Sequence, residues 1–224
     1  PDGLFNVVAG DRGLVSEILT HPGIDAISFV GSTPVAHIVQ DTGVAHGKRV
    51  QALGGANNHA IVMPDADVEF AAQHISAGAF GAAGQRCMAL PVIVAVGGIE
   101  DKLIPAIKER AERIVVGPGT DPASEMGPVI TRSSQERITG WINEAEARGA
   151  TVVLDGRGYR PEGEEYADGF WLGPTILDNV DRDLSVYCEE VFGPVLVVVH
   201  ADTYEEAIEI VNSSEFGNGS AIFT

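Results

Sequence analysis

Apolar positions in this chain follow two patterns that take turns. Short β-branched runs, bounded by Gly, Pro, Asn or Asp, alternate with longer stretches whose apolar residues recur at helical spacing. The alternation predicts an α/β fold with a mostly parallel sheet. Strands are expected over 4–8, 26–30, 49–53, 59–63, 91–96, 151–154, 194–200 and 221–224, with 170–177 extended. Helices are expected over 13–19, 34–41, 68–81, 101–114, 133–148 and 204–212. Pro34 suits a first helical turn, where its missing N–H has no intrahelical partner, and Asp67 suits an N-cap. Residues 156–168 read as a polar surface excursion, and 194–200 as a central strand. The change of character at Gly54-Gly55 predicts two domains, 1–54 and 55–224.

Composition narrows the class. The chain has 224 residues, 45% of them hydrophobic, enough for one or two cored domains. Its net charge of -18 argues against nucleic acid or an anionic membrane as partner, since both are polyanions. Two cysteines make no disulfide framework, so an intracellular, cytoplasmic setting is expected. No apolar run approaches the roughly 20 residues of a membrane span, and no signal peptide is visible. Both ends fall within strand-like runs, so further sequence is expected on either side.

Four segments carry candidate chemistry. Cys87 stands in Gly84-Gln85-Arg86-Cys87-Met88-Ala89, between an Ala-rich helix and an apolar strand. A thiol attacks as its thiolate, which a neighbouring cation such as Arg86 favours; read alone, Cys87 equally suits a buried packing thiol. Phe29-Val30-Gly31-Ser32-Thr33 joins a strand to a helix and presents free N–H groups to an anion, or is an ordinary turn. Ala52-Leu53-Gly54-Gly55 ends a strand. In Glu189-Glu190-Val191-Phe192-Gly193-Pro194, a carboxylate and a ring could meet a ribose and a nicotinamide, or form a solvated loop. The six histidines share no ligand spacing, and no metal site is expected. Cys188 reads as a packed thiol.

In this order the four segments resemble the aldehyde dehydrogenase superfamily, joined by His21-Pro22, Gly127-Pro128 and Gly173-Pro174-Thr175-Ile176-Leu177. The resemblance covers the whole chain. It implies the second part of a Rossmann-type NAD-binding domain, followed by an α/β catalytic domain truncated at its C-terminal end. It also implies roles. Cys87 is the nucleophile. Ser32 meets the pyrophosphate, with Gly31 letting the backbone approach. Glu190 meets the nicotinamide ribose, with Phe192 beside it, and the Leu53 carbonyl orients the nicotinamide. A homo-oligomer, dimer or tetramer, is implied for the full-length protein, and the isolated chain is expected to be inactive.

The departures from the family matter as much. Hydrolytic members carry Glu-Leu-Gly-Gly where this chain has Ala52-Leu53-Gly54-Gly55. Alanine offers no general base for water, worth about 10²–10⁴-fold, whereas a thiol acceptor needs less help. The pattern is similar to the coenzyme A-acylating, methylmalonate-semialdehyde branch of the family, supported by Asn58-His59 and Met63-Pro64-Asp65-Ala66-Asp67. Asn57 replaces an expected lysine and Ala36 an expected glycine. That branch implies oxidation of malonate or methylmalonate semialdehyde with NAD, a Cys87 thioacyl intermediate, and acetyl-CoA or propionyl-CoA with loss of carbon dioxide. Arg86 is a candidate for the substrate carboxylate. Two other readings stand beside this one: a hydrolytic enzyme with another base, and a noncatalytic binding or assembly protein on the same scaffold.

Overall fold

The computed structural model describes all residues, 1–224. The chain divides into two units, Pro1–Gly55 and Ala56–Thr224. The first holds α1 (Arg12–Thr20), β1 (Ala26–Val30), α2 (Thr33–Ala45) and β2 (Arg49–Leu53). β1 and β2 pair in parallel, with Ala26 opposite Arg49 and Val30 opposite Leu53. α2 is the crossover that parallel pairing requires. It runs beyond the expected end at 41. Gly43, inside the helix, packs its bare Cα against Val50, where a Cβ would lie 2.6 Å from Val50 Cγ2. Lys48 is buried, its ammonium donating to the carbonyls of His21 and Ile24 at 2.5 Å each. The strand expected over 4–8 does not form. Leu4 and Phe5 are 77% and 86% exposed, and β1 pairs only with β2. Without a ladder partner, an apolar run has nothing to make it a strand.

The second unit is a three-layer α/β structure. Its elements are β3 (His59–Val62), α3 (Val68–Phe80), β4 (Val92–Val96), α4 (Glu100–Glu112), α5 (Arg132–Ala147), β5 (Thr151–Leu154), β6 (Thr175–Asp178), α6 (Ser185–Cys188), β7 (Val195–Ala201), α7 (Tyr204–Asn212) and β8 (Ser220–Phe223). They build one sheet of order β5-β6-β7-β4-β3-β8, parallel except for β5. Side chains of one strand point alternately to opposite faces, and the core divides accordingly. Val92, Val94 and Val96 pack with Ile138 and Ile142 of α5 and Ile210 of α7. Ile93 and Ala95 face the other way, onto Ile75 and Phe80 of α3 and Leu103 and Ile107 of α4. Asp67 caps α3 by accepting from the Phe70 N–H at 3.0 Å. β7 is interior, as its apolar run 195–199 implies.

Only Thr175–Asp178 of the 170–177 stretch is a strand. Trp171 and Leu172 are buried ahead of it, with the Trp171 indole donating to the Tyr166 carbonyl at 2.8 Å and its own carbonyl accepting from Gln135. No helix is long and apolar enough to cross a membrane.

Candidate active site

The second unit gathers its chemistry on one edge of the sheet, where the parallel strands begin. Asn58 precedes β3, Cys87 to Ala89 precede β4, Gly193 precedes β7, and Asn218 and Gly219 precede β8. Open α/β sheets more often bind ligands beyond the ends of their strands. Here that opposite edge is occupied by a histidine held between two carboxylates. His200, near the end of β7, lies 2.6 Å from Asp178 at the end of β6 and 3.3 Å from Glu100 at the start of α4.

The approach to Cys87 is strained. After α3, Ala82, Ala83 and Gly84 take φ values of +53°, +54° and +68° in succession. Left-handed backbone is costly for residues with a Cβ and concentrates at functional sites. Gln85 then ties the segment to the Gly127-Pro128 loop. Its side chain donates to the Pro128 carbonyl at 3.2 Å and accepts from the Ile130 N–H at 2.9 Å. Arg86 to Ala89 close a turn, Ala89 N–H donating to the Arg86 carbonyl at 2.9 Å. The Cys87 carbonyl accepts from Asn58 at 2.9 Å and Asn218 at 2.8 Å. Cys87 itself is exposed and makes no disulfide. It is therefore not the buried packing thiol that its sequence neighbourhood equally allowed.

Arg86 is turned toward the end of α3. One Nη2 donates to the Ala77 carbonyl at 2.6 Å and to that of Gly78 at 3.4 Å, leaving Nε and Nη1 without hydrogen bonds. Gly81 makes room for it, since a Cβ there would overlap the guanidinium.

Glu190 and Phe192 lie on the segment entering β7, the strand paired with β4. Glu190 is half-buried. Burial pushes its carboxyl above the ordinary range, opposed by the Ala56 N–H and by Arg137. Phe192 is 39% exposed and has φ +49°, an outlier for a bulky residue. Arg137 holds this segment by donating to the Val191 carbonyl at 2.8 Å while lying 4.4 Å from the Trp141 ring. The two strained segments meet: Gly84 packs against Gly193, whose carbonyl a Cβ on Gly84 would strike.

Cys188 and His59 stand outside this chemistry. Cys188 is exposed, not the packed thiol that its sequence suggested; partial desolvation still pushes its thiol up, with Glu189, Asp183 and Glu215 adding to it, and its S–H donates to the Arg182 carbonyl at 3.0 Å. His59 is 2% exposed. Burial lowers its basicity, and it packs edge-on against Tyr187 at 5.5 Å.

In the first unit, Gly31 and Leu53 are brought together, the Gly31 N–H donating to the Leu53 carbonyl at 3.1 Å. Ser32 is the exposed N-cap residue of α2, and its hydroxyl makes no capping bond. A free hydroxyl at the N-terminus of a 13-residue helix suits an anionic group. Thr33 is a residue that sequence reasoning passed over. Its hydroxyl accepts from the Gly55 N–H at 3.0 Å, and a Cβ on Gly54 would lie 3.2 Å from its Cα. The paired glycines thus let β2 leave the sheet against the start of α2. Asn58, Asn218, Gln85 and Arg137 were also missed as site residues. The one legible signal was Asn57-Asn58, a polar pair immediately before a wholly apolar strand.

The aldehyde dehydrogenase family model matches residues 1–224. Malonate-semialdehyde dehydrogenase 3 of Geobacillus kaustophilus is 50% identical over the whole chain, which covers 46% of that protein. The mitochondrial acylating methylmalonate-semialdehyde/malonate-semialdehyde dehydrogenase of Bos taurus is 46% identical over the whole chain and 41% of its own length. A solved structure described as a methylmalonate-semialdehyde dehydrogenase of Sinorhizobium meliloti 1021, complexed with NAD, superposes with TM-score 0.92 at 45% identity. That match covers 96% of this chain and 44% of the other. The chain thus spans a little under half the length of these relatives, and it belongs to the aldehyde dehydrogenase family.

Proposed function

We infer that the complete protein oxidises malonate or methylmalonate semialdehyde and passes the acyl group from Cys87 to coenzyme A. The observation that carries this reading is the exposed Cys87 thiol on a turn held from several sides, in a chain with no carboxylate anywhere in the segment 51–58. The names of the relatives support the substrate class, and the acylating bovine relative supports the thiol acceptor.

The Cys87 thiolate adds to the aldehyde carbon, and the Cys87 N–H donates to the resulting oxyanion. NAD, when bound, supplies the hydride acceptor; Ser32, Leu53, Glu190 and Phe192 are the residues that would hold it. Loss of hydride from the thiohemiacetal carbon leaves a thioester on Cys87. Ala52 offers water no base, so the thioester waits for a thiol. The sulfur of coenzyme A attacks the carbonyl and the Cys87 thiolate leaves. Before that transfer, the β-carboxylate leaves the acyl group on Cys87 as carbon dioxide and the resulting enolate takes a proton, so that the products are acetyl-CoA or propionyl-CoA. Arg86, anchored by one nitrogen, has donors left for the substrate carboxylate.

The test is NADH release by the full-length protein with each semialdehyde, with and without coenzyme A. Turnover is expected only with coenzyme A, after a single burst without it. Full turnover without coenzyme A overturns acyl transfer in favour of hydrolysis. A Cys87 inert to aldehyde and to iodoacetamide leaves the noncatalytic reading.

A further inference from the structure

Asn58 and Asn218 lie 160 positions apart in the chain, yet their amides converge on one atom, the carbonyl oxygen of Cys87. Asn58 approaches from the buried side, 5% exposed, and donates also to the Ala89 carbonyl at 2.6 Å. Asn218 approaches from the exposed side, on the loop between α7 and β8, and its amide also lies 3.1 Å from Met88 Sδ.

The effect on Cys87 follows from peptide geometry. Two peptide planes meet at its Cα, and their rotations fix the direction of Cβ and with it the few staggered positions open to the sulfur. The plane before Cys87 is held through the Arg86 carbonyl by the Ala89 N–H. The plane after it is held through the Cys87 carbonyl by the two amides. With both planes held, Cβ and the Cys87 N–H keep one mutual orientation, and the sulfur is confined to the staggered positions about that fixed bond.

Asn58 has a further property that packing does not explain. Its Nδ2 must face two carbonyls, so its Oδ1 is turned away, buried and without a hydrogen-bond partner. A buried acceptor left unpaired costs about 1–3 kcal/mol. Such groups call for a role beyond stability.

We propose that Asn58 and Asn218 are positioning residues that clamp the Cys87 carbonyl and thereby aim the thiol and its N–H at the aldehyde. The inference rests on Cys87 being the nucleophile. Misplacing a reacting atom by an ångström costs on the order of 10²-fold, and loss of one of two clamp arms is expected to cost less.

Asn218→Asp is nearly isosteric and exchanges a donor for an acceptor that repels the carbonyl. In the full-length protein it is expected to slow both iodoacetamide alkylation of Cys87 and kcat by about tenfold. The KM for NAD and the melting midpoint are expected to stay as they are. Asn218→Gln, which keeps the donor, is expected to recover most of the rate. Asn58→Asp is expected to act in the same direction, with some loss of stability. Alkylation and kcat within twofold of the unsubstituted protein in Asn218→Asp overturn the clamp. So does a melting midpoint that falls in step with the rate in both Asn218 variants, since that assigns Asn218 to the fold. Turnover surviving in Cys87→Ala overturns the nucleophile assignment instead, and the clamp with it.

Discussion

Gly84 lies against the carbonyl of Gly193 so closely that no Cβ fits between them. One residue leads to the thiol and the other follows Glu190 and Phe192, so the contact joins the two strained segments directly. Gly84→Ala adds a clash to a φ of +68°. It is expected to cost about 2 kcal/mol of stability, within the range for strained backbone, and to lower kcat as well. Urea unfolding and steady-state kinetics check both. Gly217→Ala, where a Cβ meets open space, is the control and should leave both nearly unchanged.

Glu190 links acidity to stability. Burial raises its carboxyl in the folded protein, so between the ordinary value and the raised one the native state holds a proton that the unfolded chain has released. Stability therefore falls as pH climbs through that window, and the full penalty is present above it. Glu190→Gln is expected to melt higher than the unsubstituted protein at about pH 8, the difference closing near pH 4. The same variant is expected to bind NAD about tenfold more weakly, because a charged acceptor is lost. Melting curves and NAD titrations across pH separate the two effects.

Arg86 is attached by one edge of its guanidinium, and the other edge is available. If that edge meets the substrate carboxylate, Arg86→Lys raises KM for malonate semialdehyde by about tenfold, the cost of exchanging a bidentate contact for a point charge. The KM for propanal, which has no carboxylate, is expected to stay within twofold. An equal loss with both aldehydes would return Arg86 to the end of α3 alone.

Ala52→Glu places a proton acceptor in the segment that resembles the Glu-Leu-Gly-Gly of hydrolytic family members. Turnover without coenzyme A is expected to rise by about 10²-fold, the lower end of what a general base supplies. Steady-state NADH formation without coenzyme A measures it directly.

Most elements were legible in the chain because periodicity and punctuation agreed. β4 is an unbroken apolar run and β7 one as far as Val199, and Asp67 and Pro34 mark helix starts. The failures had a common cause. The 4–8 run has strand composition and no ladder partner, and the 34–41 helix runs on to Ala45 because Gly43 lets it pack closely on Val50. The site divided in the same way. Cys87 and Glu190 belong to local motifs. Asn58 and Asn218 act only through a meeting that the strand order creates, since β8 returns to lie beside β3. Nothing within ten residues of Asn218 announces that meeting.

The rim with the thiol and the rim with the Glu100–His200–Asp178 cluster are different ends of the same strands. Exchanging the short link before β8, Asn218 included, therefore alters what grips the thiol's turn while the His200 contacts at the far end stay as they are.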